Sequence, residues 1–188
     1  MTLESSRVPP APAEVYEPIF GSEPGLRRRI HAQASHLTAD YLAWMTALRT
    51  KGILPGRLVE LVRLRVAFHN QCRSCMAIRY STGDVSEDLV CSLEKPEEAE
   101  DLTEPERAAL AFADLMATDH LRIDDATFAR LHQHFTSPEV MELCLLVATF
   151  VGYGRMDSAL AMTDDLPEEY ADPDATVAPW RQAPVTFL

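Results

Sequence analysis

The sequence predicts an all-α fold. Apolar residues recur every three or four positions through several stretches, and helix-start signals stand ahead of them. No stretch alternates apolar and polar residues between turn signals as a half-buried strand does. The length, 188 residues, suits one helical domain with its own core.

Residues 1–24 carry five prolines and few periodic apolar positions, and read as an extended N-terminal arm. The helical domain is expected over 25–163. Leu26, Ile30, Ala34, Leu37, Tyr41, Trp44 and Leu48 mark one face of a long helix stopped near Gly52. Pro55 and Gly56 make a turn, and Leu58, Leu61, Val62 and Val66 begin a second helix that breaks at Asn70-Gln71. Cys72 to Tyr80 reads as a third helix or a continuation, ending at Gly83. Ser86 caps a segment from Glu87 to Leu93, with acids in its first turn to complement the helix dipole. Thr103-Glu104-Pro105-Glu106 is a capping box ahead of the alanine-rich helix to Thr118. Asp124 or Asp125 caps a helix through Phe128, Leu131 and Phe135. Ser137-Pro138-Glu139 opens the last helix, whose Val140, Met141, Leu143, Cys144, Leu145, Leu146, Val147 and Phe150 are apolar nearly all round. That pattern suits a buried central helix or one at a subunit interface. Residues 164–188 form an acidic, proline-spaced C-terminal arm, either disordered or packed through Trp180, Phe187 and Leu188 on its own or a neighbouring subunit.

The formal charge of −12 argues against nucleic acid, whose phosphates need cationic neutralisation, and against anionic membrane surfaces. Ten acids against one base, Lys95, between Asp84 and Glu106 read as a solvated surface. No apolar h-region opens the chain, and no uninterrupted apolar run approaches the ~20 residues of a membrane span. The four cysteines, Cys72, Cys75, Cys91 and Cys144, are too few and scattered for a secreted disulfide framework. A cytoplasmic protein is expected.

Chemistry concentrates at Cys72-Arg73-Ser74-Cys75, with Glu60 twelve positions upstream on an apolar helix. A reactive cysteine acts as thiolate, and an ordinary thiol of pKa ~8.5 is mostly protonated at neutral pH. A helix start near Cys72, the cations Arg73 and Arg79, and a hydrogen bond from the partner thiol each favour the thiolate. Glu60 suits a proton acceptor. Attack on a peroxide leaves a sulfenic acid, which a second thiol converts to a disulfide before over-oxidation. Two buried cysteines packing as small hydrophobes are the bland alternative, as is a surface ion pair between Glu60 and Arg63 at i+3. His69 extends the motif to His-x-x-Cys-x-x-Cys, but zinc commonly takes four ligands and Cys91 and Cys144 stand alone, so no metal is expected. His120, His132 and His134 read as ordinary surface or helix-end residues.

From about Leu54 to Leu160 the chain resembles the carboxymuconolactone decarboxylase-like superfamily, and within it the alkyl hydroperoxide reductase D branch. The resemblance rests on Leu58-Val59-Glu60-Leu61-Val62, Asn70-Gln71-Cys72-Arg73-Ser74-Cys75, Gly83, Ser86-Glu87-Asp88-Leu89, Leu102 to Leu110, and the helix from Glu139 to Arg155. It implies an all-α fold assembled as a trimer, dimer or hexamer. It also implies hydroperoxide reduction with Cys75 as attacking and Cys72 as resolving thiol; spacing alone does not distinguish the two sulfurs. Glu60 would assist proton transfer. No tightly bound cofactor is implied, and electrons would come from an external dithiol, lipoyl or thioredoxin-like. Four residues after Cys75 the family pattern has histidine and this chain has Arg79. Histidine passes protons near neutral pH and arginine does not, so the relay would be broken or rerouted, with His69 or water as substitutes. Two other readings remain. One is a decarboxylase binding a carboxylated lactone through Arg63, Arg65, Arg73 and Arg79. The other is a non-catalytic helical oligomer with a structural or redox-sensing disulfide.

Overall fold

The computed structural model describes residues 6–80, 85–166 and 186–187. Helices dominate: α1 Ala13–Phe20, α2 Leu26–His31, α3 Ser35–Thr50, α4 Gly56–His69, α5 Arg73–Ala77, α6 Glu87–Ser92, α7 Glu104–Thr118, α8 Asp125–His132 and α9 Ser137–Leu160. Two short strands, β1 Ile78–Arg79 and β2 Thr186–Phe187, pair in parallel. The chain divides into two compact units where the sequence suggests one domain: Met1–Gly52 with Ala159–Pro173, and Ile53–Ser158 with Asp174–Leu188.

In the first unit the N-terminal arm is not extended. Pro12 sits at the N-cap of α1, where a missing N–H costs nothing, and Glu14 lies in the first turn. Gly21 ends the helix at φ +82°, a conformation glycine adopts without strain. Arg28 and Arg29 lie over the rings of Phe20 and Tyr16. A proline count obscures this short helix because the prolines at 9, 10 and 12 precede it. The Arg7 N–H donates to the Leu160 carbonyl (2.9 Å), and the Leu26 N–H to Asp165 (3.0 Å). The acidic segment therefore begins with carboxylates that accept from backbone N–H groups, Asp165 from Leu26 and Asp164 from Ser6. Trp180 and Leu188 lie outside the described residues, as does Gly83; Phe187 is placed only by its backbone, in β2.

The long helix expected from Leu26 is also interrupted. A 3-10 turn at Ala32–Ala34 separates α2 from α3, and Ala34 leaves helical geometry. The Thr38 hydroxyl serves the His31 and Ala34 carbonyls, both at 2.9 Å. Leu37 and Trp44 are exposed.

In the second unit the central helix is α4, whose Leu58, Glu60, Leu61, Val62, Arg63, Leu64, Val66 and Ala67 are all buried. Its charges conceal this in the sequence, because they pair inside the fold. It lies along α7. Arg57 binds Glu106 (2.7 Å), the same Glu106 that closes the capping box with Thr103. Arg107 pins the acidic loop through the Pro96 and Ala99 carbonyls. Asp124 caps α8 through the Thr127 N–H (2.9 Å).

Helix α9 is buried on one side through Val140, Leu143, Leu146, Val147, Gly154 and Asp157, while Met141, Leu145 and Met156 are exposed. By length and composition it is the one helix among the described residues that could cross a membrane.

A Cβ on Gly154 would collide with the Asn70 side-chain nitrogen, which donates to the Phe150 carbonyl at 3.0 Å. Gly154→Ala must displace that amide and is expected to cost about 1–3 kcal/mol, the usual scale for overpacking. A urea titration checks this; an unchanged midpoint would contradict the close approach.

Candidate active site

The cysteine motif sits where the backbone reverses after α4. The Asn70 N–H closes on the Val66 carbonyl (3.0 Å), Gln71 takes φ +49°, and the Cys72 N–H reaches the Ala67 carbonyl (3.1 Å). Two bonds to α9 fix this corner: Asn70 to Phe150, and the Ser158 hydroxyl to the Gln71 carbonyl (3.2 Å). Cys72 thus becomes the N-cap of α5, a helix of only five residues.

Cys72 and Cys75 form a disulfide with Cα atoms 5.2 Å apart. Their environments differ: Cys72 is fully buried and Cys75 is half-buried. Ser74 Oγ stands 3.6 Å from Cys72 Sγ. Cys144 is remote from this pair in role: it is a free, half-buried thiol whose pKa is pushed up by burial.

Glu60 and Arg63 form a bidentate pair, both contacts 2.7 Å, with both side chains almost wholly buried. The i+3 pair expected on the surface is therefore an interior one. The rest of the Arg63 guanidinium donates to the Cys75 carbonyl (2.7 Å) and the Ile78 carbonyl (2.6 Å). Glu60 Oε1 also accepts the Tyr80 N–H (3.0 Å), and Arg63 lies over the Tyr80 ring. One buried ion pair on α4 thereby clamps both ends of the segment from Cys75 to Tyr80.

Arg79, also buried, donates to the Met76 (2.7 Å) and Ile78 (3.2 Å) carbonyls. These guanidinium bonds explain why the helix expected to reach Tyr80 stops at Ala77. Carbonyls that would otherwise wait for helical N–H partners are satisfied by Arg63 and Arg79, and the chain continues as β1.

His69 is turned to α7. Its Nε2 lies 2.6 Å from Asp114 Oδ1, and Arg65 holds both oxygens of the same carboxylate. Burial pushes the Asp114 carboxyl up, but the hydrogen bonds and charges of His69 and Arg65 outweigh it and leave the pKa below the ordinary value. A depressed folded-state pKa contributes stability that is complete above the unfolded carboxylate range, near pH ~4, and is lost as pH falls through the folded value. Asp114→Asn is accordingly expected to flatten the acid limb of the stability–pH curve below about pH 4. Denaturation midpoints taken from neutral to acid pH check this; parallel curves would contradict it.

One residue that sequence reasoning missed joins the cysteines. Asp157 of α9 is only 2% exposed, and one of its carboxylate oxygens lies within 4.8 Å of both sulfurs. Its sequence signal is an acid in the last turns of an apolar helix, three residues after Gly154.

No protein-family model and no curated protein matches the sequence. Solved structures similar to it include an Agrobacterium tumefaciens protein of unknown function described as a putative antioxidant defence protein AhpD. That pair has 18% identity and a TM-score of 0.61, covering 72% of this chain and 94% of the other. A second is an uncharacterized peroxidase-related protein from Ralstonia eutropha, described as an alkylhydroperoxidase AhpD core (21%, TM-score 0.62, 88% of this chain and 94% of the other). A third, an uncharacterized peroxidase-related protein from a Silicibacter species, gives 20%, TM-score 0.63 and 84% of each chain. The chain has the AhpD-like all-α fold. Within that fold the Cys72-x-x-Cys75 motif lies at the end of the buried helix α4, against α9. Cys72, Cys75, Glu60 and Arg79 all fall in this region, and His69 does not turn toward the sulfurs.

Proposed function

We propose that the chain is a thiol-dependent oxidoreductase that reduces hydroperoxides through a Cys72/Cys75 dithiol–disulfide cycle. The observation that carries this reading is the unequal burial of the bonded pair. Half-buried Cys75 suits the sulfur that meets peroxide and reductant, and buried Cys72 suits the one that resolves. A structural role for the bond is less apt. Its cysteines are three positions apart, and short loops give the least constraint on the unfolded chain.

Cys75 as thiolate attacks the distal oxygen of the hydroperoxide. The O–O bond breaks, the alkoxide takes a proton from water and leaves as the alcohol, and Cys75 becomes a sulfenic acid. Cys72 displaces its oxygen as water, closing the disulfide. An external dithiol, lipoyl or thioredoxin-like, returns the electrons by thiol–disulfide exchange. Glu60 serves this cycle as a positioning residue, since both its oxygens hold Arg63 and Arg63 holds the Cys75 carbonyl. The same pairing, with that of Arg65 and Asp114, engages two of the arginines a carboxylated lactone would need. Cytoplasmic location and homo-oligomeric assembly, through the exposed Met141, Leu145 and Met156 of α9, complete the proposal.

The test is steady-state consumption of cumene hydroperoxide with dihydrolipoamide as reductant, comparing the wild-type protein with Cys75→Ser. Turnover that disappears with Cys75 supports the reading, and turnover that survives overturns it.

A further inference from the structure

The resolving thiol has a problem that its burial creates. Cys72 must lose a proton to attack the sulfenic acid, and a fully buried thiol is disfavoured from ionising. The side chains expected to take that proton are committed elsewhere. Both Glu60 oxygens hold Arg63, His69 lies on Asp114, and arginine at 79 accepts no proton. The Asp157 carboxylate lies within 4.8 Å of Cys72 Sγ and Cys75 Sγ, close enough for transfer directly after a small movement or through one water.

The placement of Asp157 follows from the fold. Gly154, Asp157 and Ser158 stand at i, i+3 and i+4, so they share one face of α9. Gly154 lets the Asn70 amide approach, and Ser158 holds the Gln71 carbonyl. Asp157 is set between these two ties, facing the residues that follow Gln71 in the chain.

We infer that Asp157 is the acid–base residue of the cysteine pair, accepting the proton of Cys72 during disulfide formation and supplying one to Cys72 during reduction. This rests on the dithiol cycle proposed above. In the oxidative direction Asp157 takes the proton from Cys72 Sγ. The thiolate attacks the sulfenic sulfur of Cys75, an S–S bond forms and the S–O bond breaks. The departing hydroxide takes that proton from Asp157 and leaves as water. In the reductive direction the first thiol of the external dithiol gives its proton to Asp157 and attacks Cys75 as a thiolate. The electron pair of the broken S–S bond goes to Cys72, which takes that proton from Asp157. The second thiol of the reductant then gives its proton to Asp157, attacks the mixed disulfide and releases Cys75 as thiolate.

The experiment mixes the reduced full-length protein rapidly with one equivalent of cumene hydroperoxide and follows sulfenic acid (as the dimedone adduct) and disulfide separately. In Asp157→Asn, formation of the sulfenic acid is expected to be unchanged and its conversion to disulfide slowed about 100-fold or more, the scale of general acid–base catalysis. The slowed step should accelerate about tenfold per pH unit as Cys72 ionises unaided, while the wild-type profile is shallower. Asp157→Glu should restore part of the rate. If Asp157→Asn closes its disulfide at the wild-type rate with the wild-type pH profile, the inference fails while the peroxidase reading stands. If the wild-type protein ignores hydroperoxide yet its reduction by dithiothreitol slows and changes pH dependence in Asp157→Asn, the peroxidase reading fails and the inference stands. Should the variant not fold, carboxyl-carbon NMR of aspartate-labelled wild-type protein gives the answer. The Asp157 resonance must titrate differently in the reduced and disulfide states, and identical titrations overturn the inference.

Discussion

Cys75→Ser is expected to lower hydroperoxide turnover by about 10³-fold or more, to the level of the no-protein blank, because it removes the attacking nucleophile outright. Cys72→Ser should behave differently. Its Cys75 still meets the peroxide, so one equivalent is consumed, the sulfenic acid persists, and excess peroxide drives it to sulfinic acid. Mass spectrometry after a single addition separates the outcomes: one added oxygen for Cys72→Ser, none for Cys75→Ser. The asymmetry follows from burial, since Cys75 is the half-buried partner and Cys72 has no exposed surface. Neither change should cost much stability, because the bond spans only three positions. Equal reactivity of the two single-cysteine proteins would contradict the assignment of roles.

Arg63→Met carries the largest expected effect on stability, about 3–5 kcal/mol, because it leaves the Glu60 carboxylate buried without its cation. Much of the cost comes from the orphaned charge rather than from the lost attraction. Combining Arg63→Met with Glu60→Leu should therefore recover most of the lost stability, as apolar replacements of buried pairs commonly do. Activity should not return with it. The guanidinium also holds the Cys75 and Ile78 carbonyls, and neither methionine nor leucine supplies those donors. Urea unfolding gives the stability comparison and dithiol-dependent peroxide consumption gives the activity comparison. A double variant as unstable as the single one would mean that the pair is not the source of the effect.

Local signals were legible in the sequence wherever the deciding contacts are local. The Thr103 capping box, the Asp124 cap, the Ser86 cap and the break at Asn70-Gln71 each depend on residues within a turn, and each lies where its signal places it. The pairing of Cys72 with Cys75 belongs to the same class. What escaped depended on partners distant in sequence. The helix after Cys72 ends early because Arg63 reaches across to its carbonyls. Helix α4 is buried despite its arginines because Glu60 and Asp114 answer them inside the fold. Asp157 meets the cysteines only because Gly154 and Ser158 bring α9 onto the corner at Asn70-Gln71. The departure of Arg79 from the expected histidine was visible from the start. Its consequence, an arginine spent on the Met76 and Ile78 carbonyls beside a pair that has a carboxylate of its own, was not.

The most direct measurement counts thiols at the Cys72/Cys75 pair. The reduced protein is mixed with one equivalent of cumene hydroperoxide, quenched by acid, alkylated and weighed by mass spectrometry. The account predicts loss of two hydrogens per chain, mapped to a Cys72–Cys75 peptide, with one equivalent of cumyl alcohol released and the thiols regained on adding dihydrolipoamide. A protein that keeps both thiols free while the peroxide remains intact would contradict it.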